Sequence, residues 1–238
     1  MDILRMPKDI LDDLEIAQLL TIALDAGKAI MEIYDQEDRD ITYKSDDSPL
    51  TRADQAANEI ICNGLQSLTN VLPIISEENK AIPYEQRKEF DYCWMVDPLD
   101  GTKEFIKRNG EFTVNIALIY KQRSIAGFVY APALDELYYA VEGKGAFEVI
   151  KGEHVPLEAQ SFRMNATGLK VVGSRSHQND ETRQYLNQLS DPDIVPKGSS
   201  LKFLIIAKGS ADLYPRLAPT MEWDTAAADI VLREAGGL

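Results

Sequence analysis

Three short acidic segments each follow or begin a predicted regular element. Two of them follow apolar strands and one begins a helix; they are Ser76-Glu77-Glu78, Asp97-Pro98-Leu99-Asp100-Gly101-Thr102 and Glu222-Trp223-Asp224-Thr225. Strand ends and helix N termini are where open α/β layers hold ligands. Carboxylate oxygens are the ligands of hard cations such as Mg²⁺, which also take up water and phosphate oxygens. Together, the three segments predict a site for hard cations.

The second acidic segment has the residues that a bend around a cation needs. Pro98 lacks a backbone donor, and Gly101 tolerates turn conformations that other residues resist. Both carboxylates and the Leu99 carbonyl can then face one point. Carboxylates that close repel one another unless cations neutralise them. Each segment alone also fits an ordinary structural role. In chain order, these roles are a solvated loop, a surface turn and a helix N-terminal charge, so only the combination favours a metal site.

Composition narrows the class of protein. The chain has 238 residues, 45% of them hydrophobic, which is enough for one large domain or two smaller ones. A formal net charge of −14 argues against DNA or RNA polymers as partners. Two cysteines and two histidines, far apart, argue against a disulfide framework or a zinc site and fit a reduced, cytoplasmic setting. We find no signal-peptide pattern and no apolar run long enough for a membrane span.

The first half of the chain is patterned as helices followed by a strand meander. Apolar residues recur at helical spacing over residues 10–34 and again over about 52–68. Short apolar runs bounded by turn residues then predict strands at 71–75, 92–96, 113–120, 125–130, 137–141 and 143–150. Two helices followed by a meander indicate an α+β arrangement.

The second half alternates between strands and helices. Predicted strands cover residues 169–173, 194–196 and 211–214, and predicted helices cover 180–189, 200–208 and 223–235. We therefore expect an N-terminal α+β domain over residues 1–155, with most of the metal ligands, and a C-terminal α/β domain over residues 156–238. The join is expected within residues 151–165.

The acidic segments, in this order and spacing, resemble the motifs of the inositol monophosphatase superfamily, and the resemblance covers nearly the whole chain. Within the superfamily the chain is similar to the bacterial bisphosphate nucleotidases. Four later motifs carry this second resemblance: Lys103-Glu104-Phe105, Ser174-Arg175-Ser176-His177, Gly198-Ser199-Ser200-Leu201-Lys202-Phe203 and Tyr214-Pro215-Arg216. The resemblance implies a layered αβαβα sandwich of the α+β class, of the inositol monophosphatase and fructose-1,6-bisphosphatase type.

The resemblance also implies the catalytic group. Two or three magnesium ions would be held by Glu77, Asp97, Asp100, Asp224 and the carbonyl of Leu99. Thr102 would orient or deprotonate the attacking water, Asp54 would support Thr102, and Glu77 would act in catalysis as well as in metal binding. A threonine hydroxyl is a weak base alone, so a carboxylate partner makes chemical sense.

The substrate contacts are implied in the same way. The scissile phosphate would meet the backbone of Gly101 and Thr102 and the metal-binding residues Glu77, Leu99, Asp100 and Asp224. The second phosphate and the base would meet residues of the later motifs, namely Ser174, Arg175, His177, Gly198, Ser199, Lys202 and Arg216. The cations and the histidine also fit solvated surface positions, and residues 198–200 also fit a plain helix cap.

The activity that the resemblance implies is hydrolysis of adenosine 3′,5′-bisphosphate to AMP and phosphate by magnesium-activated water. The partner is then a small nucleotide bisphosphate, and the protein a cytoplasmic monomer or homodimer, with peripheral association with the inner membrane as a further option. Two alternatives stay open: a broader inositol or sugar phosphatase, and a catalytically silent phosphate- or metal-binding homologue. The second alternative arises because the resemblance leads us to expect a further C-terminal segment after Leu238.

Overall fold

The computed structural model describes residues 7–12, 14–36, 49–173 and 179–238. Its helices are α1 Pro7–Asp12, α2 Ile16–Gln36, α3 Pro49–Gln66, α4 Tyr84–Arg87, α5 Thr102–Ile106, α6 Asp180–Leu186, α7 Leu201–Ala207 and α8 Glu222–Glu234. Its strands are β1 Ile74–Ser76, β2 Tyr92–Asp100, β3 Thr113–Tyr120, β4 Arg123–Ala131, β5 Glu136–Val141, β6 Gly145–Ile150, β7 Glu153–Pro156, β8 Lys170–Gly173 and β9 Asp193–Pro196. None of the described helices is both long and apolar enough to cross a membrane.

A seven-stranded sheet forms the centre of the molecule. Its strands follow chain order from β1 to β7; β1 is parallel to β2 and every other neighbouring pair is antiparallel. In β3 the residues from Thr113 to Ile119 are all buried, which explains why this strand is a nearly continuous apolar run. Polar residues at its start, Thr113 and Asn115, are therefore buried together with the apolar ones.

Helices cover both faces of this sheet. On one face, α2 and α3 pack against inward-pointing side chains such as Ile116 and Phe128. On the other face, α7 and α8 pack against the alternate residues, including Ala117 and Val129. This two-sided burial requires the alternation of side-chain direction along each strand. The sheet, including the ends of β1 and β2, is thus packed between two helical layers.

A close backbone approach seats α8 on the sheet. A Cβ atom added at Gly127 of β4 would lie 2.2 Å from the carbonyl oxygen of Ala227 in α8. Only glycine fits there, because any other residue would force the helix off the strand. Since α8 begins two residues before Asp224, this contact also fixes the helix that brings Asp224 to the site.

A second, smaller sheet lies beyond α7 and α8. Its strands β8 and β9 run parallel in register from Lys170 and Asp193 to Gly173 and Pro196. Val172 of β8 packs with Ile206 of α7 and with Ala211, and so joins this sheet to the helical layer. Successive helical and sheet layers confirm the predicted α+β sandwich. The division of the chain at residue 155 stays a prediction.

Several predicted elements differ from the structure, and one of them is the strand predicted at 71–75, which is β1 Ile74–Ser76. The helix predicted over 10–34 is two helices, α1 and α2, and the Glu15 side chain directly before α2 accepts a hydrogen bond from the Thr69 amide at 2.9 Å. The predicted strand at 211–214 forms only one isolated bridge, between Leu213 and Val171, and Pro215 directly after it cannot donate to a ladder. The strand predicted to end at residue 96 continues to Asp100.

Candidate active site

Register between two parallel strands brings the first two acidic segments together. Ser76 of β1 is paired with Val96 of β2, and the Glu77 amide donates to the Val96 carbonyl at 3.2 Å. Glu77 and Asp97 are the next residues on the two strands. Because the carboxyl ends of two neighbouring parallel strands lie at the same end of the sheet, both carboxylates lie at that end. The sequence-based prediction that these segments meet is consistent with this pairing.

A β-bulge sets the geometry of the second acidic segment. Asp97 is paired with Asn115 and Asp100 with Thr113, so β2 has one extra residue between the two aspartates. Pro98 is tolerated there because the ladder is already interrupted. This corrects the prediction of a turn directly after Val96. Asp97 is 1% exposed, and its Oδ1 accepts a hydrogen bond from the Leu99 amide at 3.1 Å.

Gly101 ends the bulged strand in a conformation that favours glycine. Its φ is +102°, and an added Cβ would lie 3.0 Å from the Glu111 carbonyl oxygen and 3.1 Å from the Cα of Phe112. Left-handed backbone of this kind is strained for residues with a side chain. Gly101 thus turns the chain directly into α5, and Thr102 is the first residue of that helix.

Asp224 belongs to the first turn of α8 and caps it. Its Oδ2 accepts hydrogen bonds from the Thr220 hydroxyl at 2.5 Å and from the Met221 amide at 3.1 Å. A carboxylate at this position is also favoured by the positive end of the helix dipole. The capping role that was an alternative for Asp224 is therefore present in the structure. Only Oδ2 takes part in these bonds, which leaves Oδ1 for another ligand.

The four carboxylates of Glu77, Asp97, Asp100 and Asp224, which we call the acidic cluster, perturb one another electrostatically. Burial raises the pKa of Asp97 well above its usual range, and the negative charges of the other three add to the effect. Burial also raises the pKa of Glu77, with Asp224 as the next cause. For Asp100, burial raises the pKa while the Ser199 hydrogen bond and the Lys202 charge oppose the rise. Such mutual repulsion requires that the groups lie close together.

The acidic cluster offers the right donor atoms for magnesium, although its side chains now bind donors of the protein. Within the described ranges, no three Asp, Glu, His or Cys side chains already have the geometry to hold a metal ion. Asp97, Asp100 and Asp224 each accept a hydrogen bond instead, from Leu99, Ser199 and Thr220. Four carboxylates and no softer ligand nevertheless suit a hard cation, because magnesium prefers oxygen ligands.

Thr102 and Asp54 approach the cluster from two helices. Thr102 is exposed in the first turn of α5, and Asp54 lies on α3. Burial raises the pKa of Asp54 to about 8, and the charges of Glu78 and Glu77 add to the rise. Among the side-chain hydrogen bonds of the described residues, none joins Asp54 to Thr102. The predicted partnership between them therefore stays a prediction.

A cleft beside Asp100 and Asp224 is lined by the later motifs. Its basic side chains are Lys103, Lys197, Lys202 and Arg216. Lys202 is 9% exposed; its Nζ donates to the Ser199 carbonyl and lies 5.6 Å from the centre of the Tyr214 ring. Burial lowers the pKa of Lys202, whereas the charge of Asp100 raises it. These contacts orient the ammonium group beside the acidic cluster.

The predicted substrate residues do not all have the same role. Arg216 donates to the Tyr214 hydroxyl and to the carbonyls of Ala218 and Pro219, so its guanidinium organises its own loop at the cleft. Gly198 and Ser199 form the turn before α7 and line the cleft with Lys202. Ser174, Arg175 and His177 lie outside the described residues.

Sequence reasoning missed a buried polar group that contacts the turn at Gly198 and Ser199. Glu111, Thr113 and Asn115 are each at most 6% exposed. Thr113 Oγ1 lies 2.5 Å from Ser199 Oγ, and Glu111 Oε2 accepts a hydrogen bond from the Gly198 amide at 2.9 Å. Asn115 could have indicated this group in the sequence, because it is an amide within a largely apolar strand and buried polar side chains need partners.

Comparison with known proteins shows the family of this chain. The family model described as the inositol monophosphatase family matches residues 12–238. This chain belongs to the inositol monophosphatase family. As the resemblance implied, similar members of the family include proteins named 3′(2′),5′-bisphosphate nucleotidase CysQ from Salmonella typhimurium and from Escherichia coli K12. Each is 47% identical over 220 residues, which is 92% of this chain and 87% of the relative.

Several solved structures have a similar fold. CysQ from Bacteroides thetaiotaomicron has a TM-score of 0.82 at 40% identity. The matched region covers 92% of this chain and 86% of the CysQ chain. The extragenic suppressor protein SuhB from Bartonella henselae has a TM-score of 0.69 at 26% identity, with 93% and 84% covered. An inositol monophosphatase from Anabaena, at 24% identity and a TM-score of 0.72, supports the fold alone.

Proposed function

We propose that this chain hydrolyses the 3′-phosphate ester of adenosine 3′,5′-bisphosphate and releases AMP and inorganic phosphate. The observation that carries the proposal is that the acidic cluster borders a cleft with several basic side chains. A carboxylate cluster with magnesium suits any phosphate monoester, whereas the basic side chains suit a substrate with a second phosphate. The names of the 47% identical relatives, which are bisphosphate nucleotidases, support the same substrate.

Magnesium fits the acidic cluster by the chemistry of its donors. Glu77, Asp97, Asp100, Asp224 and the Leu99 carbonyl are the residues that would hold it. When bound, magnesium neutralises negative charge on the phosphoryl and leaving-group oxygens and lowers the pKa of the attacking water. Two or three ions per chain is part of the proposal.

The chain's own residues would bind and orient the reactants. The Thr102 hydroxyl, at the first turn of α5, would orient the attacking water, and Asp54 would take the proton that Thr102 passes on. The water oxygen bonds to phosphorus as the bond to the 3′ oxygen breaks, and the 3′ oxygen takes a proton from solvent. The amides of Gly101 and Thr102 would donate to the phosphate.

Selectivity for the nucleotide would come from the cleft. The ammonium group of Lys202 is buried and held by Ser199 and Tyr214, so it can meet a second phosphate at a small cost in side-chain entropy. Arg216 would act mainly through the loop that it organises. Contacts from Ser174, Arg175 and His177 to the base or the second phosphate remain part of the proposal.

One experiment separates this function from its two alternatives. Phosphate release from adenosine 3′,5′-bisphosphate and from inositol 1-phosphate is measured with and without magnesium. The proposed function requires magnesium-dependent release that favours the nucleotide by at least about tenfold in kcat/KM. Equal turnover of both substrates would instead indicate the broader phosphatase. If neither substrate releases phosphate, the result would indicate the silent binding homologue.

The remaining features of the proposal concern the protein as a whole. We propose a monomer or homodimer that acts on a small nucleotide rather than on polymeric nucleic acid, consistent with a net charge of −14. A cytoplasmic location and peripheral association with the inner membrane stay predictions.

A further inference from the structure

Glu111 is a buried carboxylate outside the acidic cluster. It is 6% exposed, its Oε2 accepts a hydrogen bond from the Gly198 amide at 2.9 Å, and its Oε1 lies 3.5 Å from Lys197 Nζ. A buried carboxylate is costly unless hydrogen bonds and an opposite charge compensate for the lost water. The turn that contains Lys197 and Gly198 provides both kinds of partner, although it is 86 or more residues away in sequence.

The turn that Glu111 holds has little freedom to move. A Cβ at Gly198 would lie 2.6 Å from Glu104 Cγ on α5 and 2.9 Å from the Glu111 carbonyl oxygen, so the turn is packed tightly against α5 and the loop before β3. Ser199 has a φ of +50°, a left-handed conformation that a residue with a side chain adopts only when its surroundings impose it. The hydrogen bond from Gly198 to Glu111 is one of the contacts that impose it.

A chain of hydrogen bonds leads through this turn to Asp100. The Ser199 hydroxyl donates to Asp100 Oδ2 at 2.6 Å. Thr113 Oγ1 lies 2.5 Å from Ser199 Oγ and 2.8 Å from Ser200 Oγ, and it accepts a hydrogen bond from the Asn115 amide at 3.3 Å. Hydrogen bonds in such a chain polarise one another and strengthen the last one, on the carboxylate.

From this arrangement we infer that Glu111 is a positioning residue for the metal-binding carboxylate Asp100. By holding the Gly198 amide, Glu111 fixes the turn in which the Ser199 hydroxyl faces Asp100, and it thereby sets the orientation of that carboxylate. The inference deepens the proposed function and rests on it for the activity readout. Glu111 itself touches neither the reacting atoms nor the cation.

The test compares three variants of the full chain. Glu111→Leu removes the acceptor of the Gly198 amide, Glu111→Gln keeps an acceptor oxygen, and Glu148→Gln is the matched control. Glu148 is also a poorly exposed partner of a lysine, at 2.9 Å from Lys208 Nζ, but it lies on β6, outside the cleft. The first readout is the magnesium concentration that gives half of the maximal rise in melting temperature. The second is kcat and KM for adenosine 3′,5′-bisphosphate.

We expect Glu111→Leu to raise the magnesium midpoint about tenfold and to lower kcat/KM about 10- to 100-fold, the usual effect of a lost charge-assisted hydrogen bond. Glu111→Gln should stay within about threefold of wild type in both readouts, and Glu148→Gln should match wild type. A wild-type magnesium midpoint for Glu111→Leu overturns the inference. Equal losses for the Leu and Gln variants also overturn it, because they would trace the effect to the ion pair with Lys197.

A second variant keeps the inference testable if Glu111→Leu does not fold. Thr113→Val keeps the shape of the side chain and removes the hydroxyl that contacts Ser199. A raised magnesium midpoint for this variant supports the positioning of Asp100 through Ser199, on which the inference depends, and a wild-type midpoint overturns the inference. If the wild-type chain releases no phosphate from adenosine 3′,5′-bisphosphate, the proposed function fails, while the magnesium midpoints still decide the role of Glu111.

Discussion

The Ser199 hydroxyl donates a hydrogen bond to Asp100 Oδ2 at 2.6 Å, across 99 residues of sequence. The bond joins the turn before α7 to the bulged end of β2. It therefore ties the part of the chain that lines the cleft to the part that carries most of the acidic cluster. In the proposed function, this contact would connect recognition of the second phosphate with magnesium binding.

Asp97 is expected to be essential for activity but not for folding. Asp97→Asn keeps the shape and an oxygen acceptor for the Leu99 amide while it removes a buried negative charge. Activity with saturating magnesium should fall by at least about 100-fold, the size of effect seen when one preorganised charge-stabilising group is lost. The melting temperature in EDTA should stay level or rise, because repulsion within the acidic cluster is relieved.

The control for this prediction is Asp229→Asn. Asp229 lies on α8 beyond Asp224 and pairs with Arg233 at 2.8 Å on a partly exposed surface, so its loss should change activity little. Wild-type activity of Asp97→Asn would remove Asp97 from the proposed metal site. A large drop in its metal-free melting temperature would instead indicate a mainly structural role.

Asp54 should make the metal-free protein less stable as the pH rises. Its pKa is about 8 in the folded state, against about 3.9 for an unfolded aspartate. A raised pKa means that the folded state binds the proton more tightly. The contribution of Asp54 to stability is thus fully present below about pH 4 and is lost as the pH rises through about 8.

The measurement is urea unfolding of wild type and Asp54→Asn in EDTA from pH 5 to pH 9. The asparagine variant does not titrate, so its stability relative to wild type should grow steadily up to about pH 8 and then level off. A stability difference that stays constant over this range would show that Asp54 has an ordinary pKa. The control is Asp180→Asn, at an exposed site on α6.

Lys202 should determine preference for the nucleotide more than turnover itself. Lys202→Ala removes a buried cation that lies beside Asp100 and Ser199. The ratio of kcat/KM for adenosine 3′,5′-bisphosphate to that for inositol 1-phosphate should fall about tenfold or more, because only the nucleotide has a second phosphate. Steady-state kinetics of both substrates give the ratio. Lys121→Ala, remote from the cleft, is the control; an unchanged ratio in Lys202→Ala would assign selectivity to other residues.

Gly127 should be essential for the seating of α8. In Gly127→Ala the new methyl group would lie 2.2 Å from the Ala227 carbonyl oxygen, so helix or strand must shift. We expect a loss of about 1–3 kcal/mol in the free energy of unfolding, as for other overpacked cores, measured by urea denaturation. The magnesium midpoint should also rise, because α8 carries Asp224.

Gly152→Ala is the matched control for steric crowding. Gly152 has a φ of +83° and no atom within 4 Å of an added Cβ, so only the backbone conformation is penalised, by about 1 kcal/mol. The magnesium midpoint of this control should remain that of wild type. If Gly127→Ala were no less stable than Gly152→Ala, the close approach of α8 to β4 would not limit packing.

The amino-acid sequence by itself determined the fold class, most elements and the residues of the acidic cluster. Apolar periodicity is a local property, so it locates helices and strands such as α3 and β3 without knowledge of the fold. Acidic residues next to element ends are equally local, and their order and spacing match the family motifs. Residue types alone also indicate a hard cation, since the cluster contains only oxygen donors.

The tertiary structure decided which of these residues meet and what holds them. The bulge between Asp97 and Asp100 exists only because β2 pairs with β3 on one side. The contacts of Glu111 with Gly198 and of Ser199 with Asp100 span 87 and 99 residues. No local pattern encodes such pairs, because they depend on how the layers pack. The acidic cluster could therefore be predicted from the sequence, whereas the buried hydrogen bonds that orient it required the folded chain.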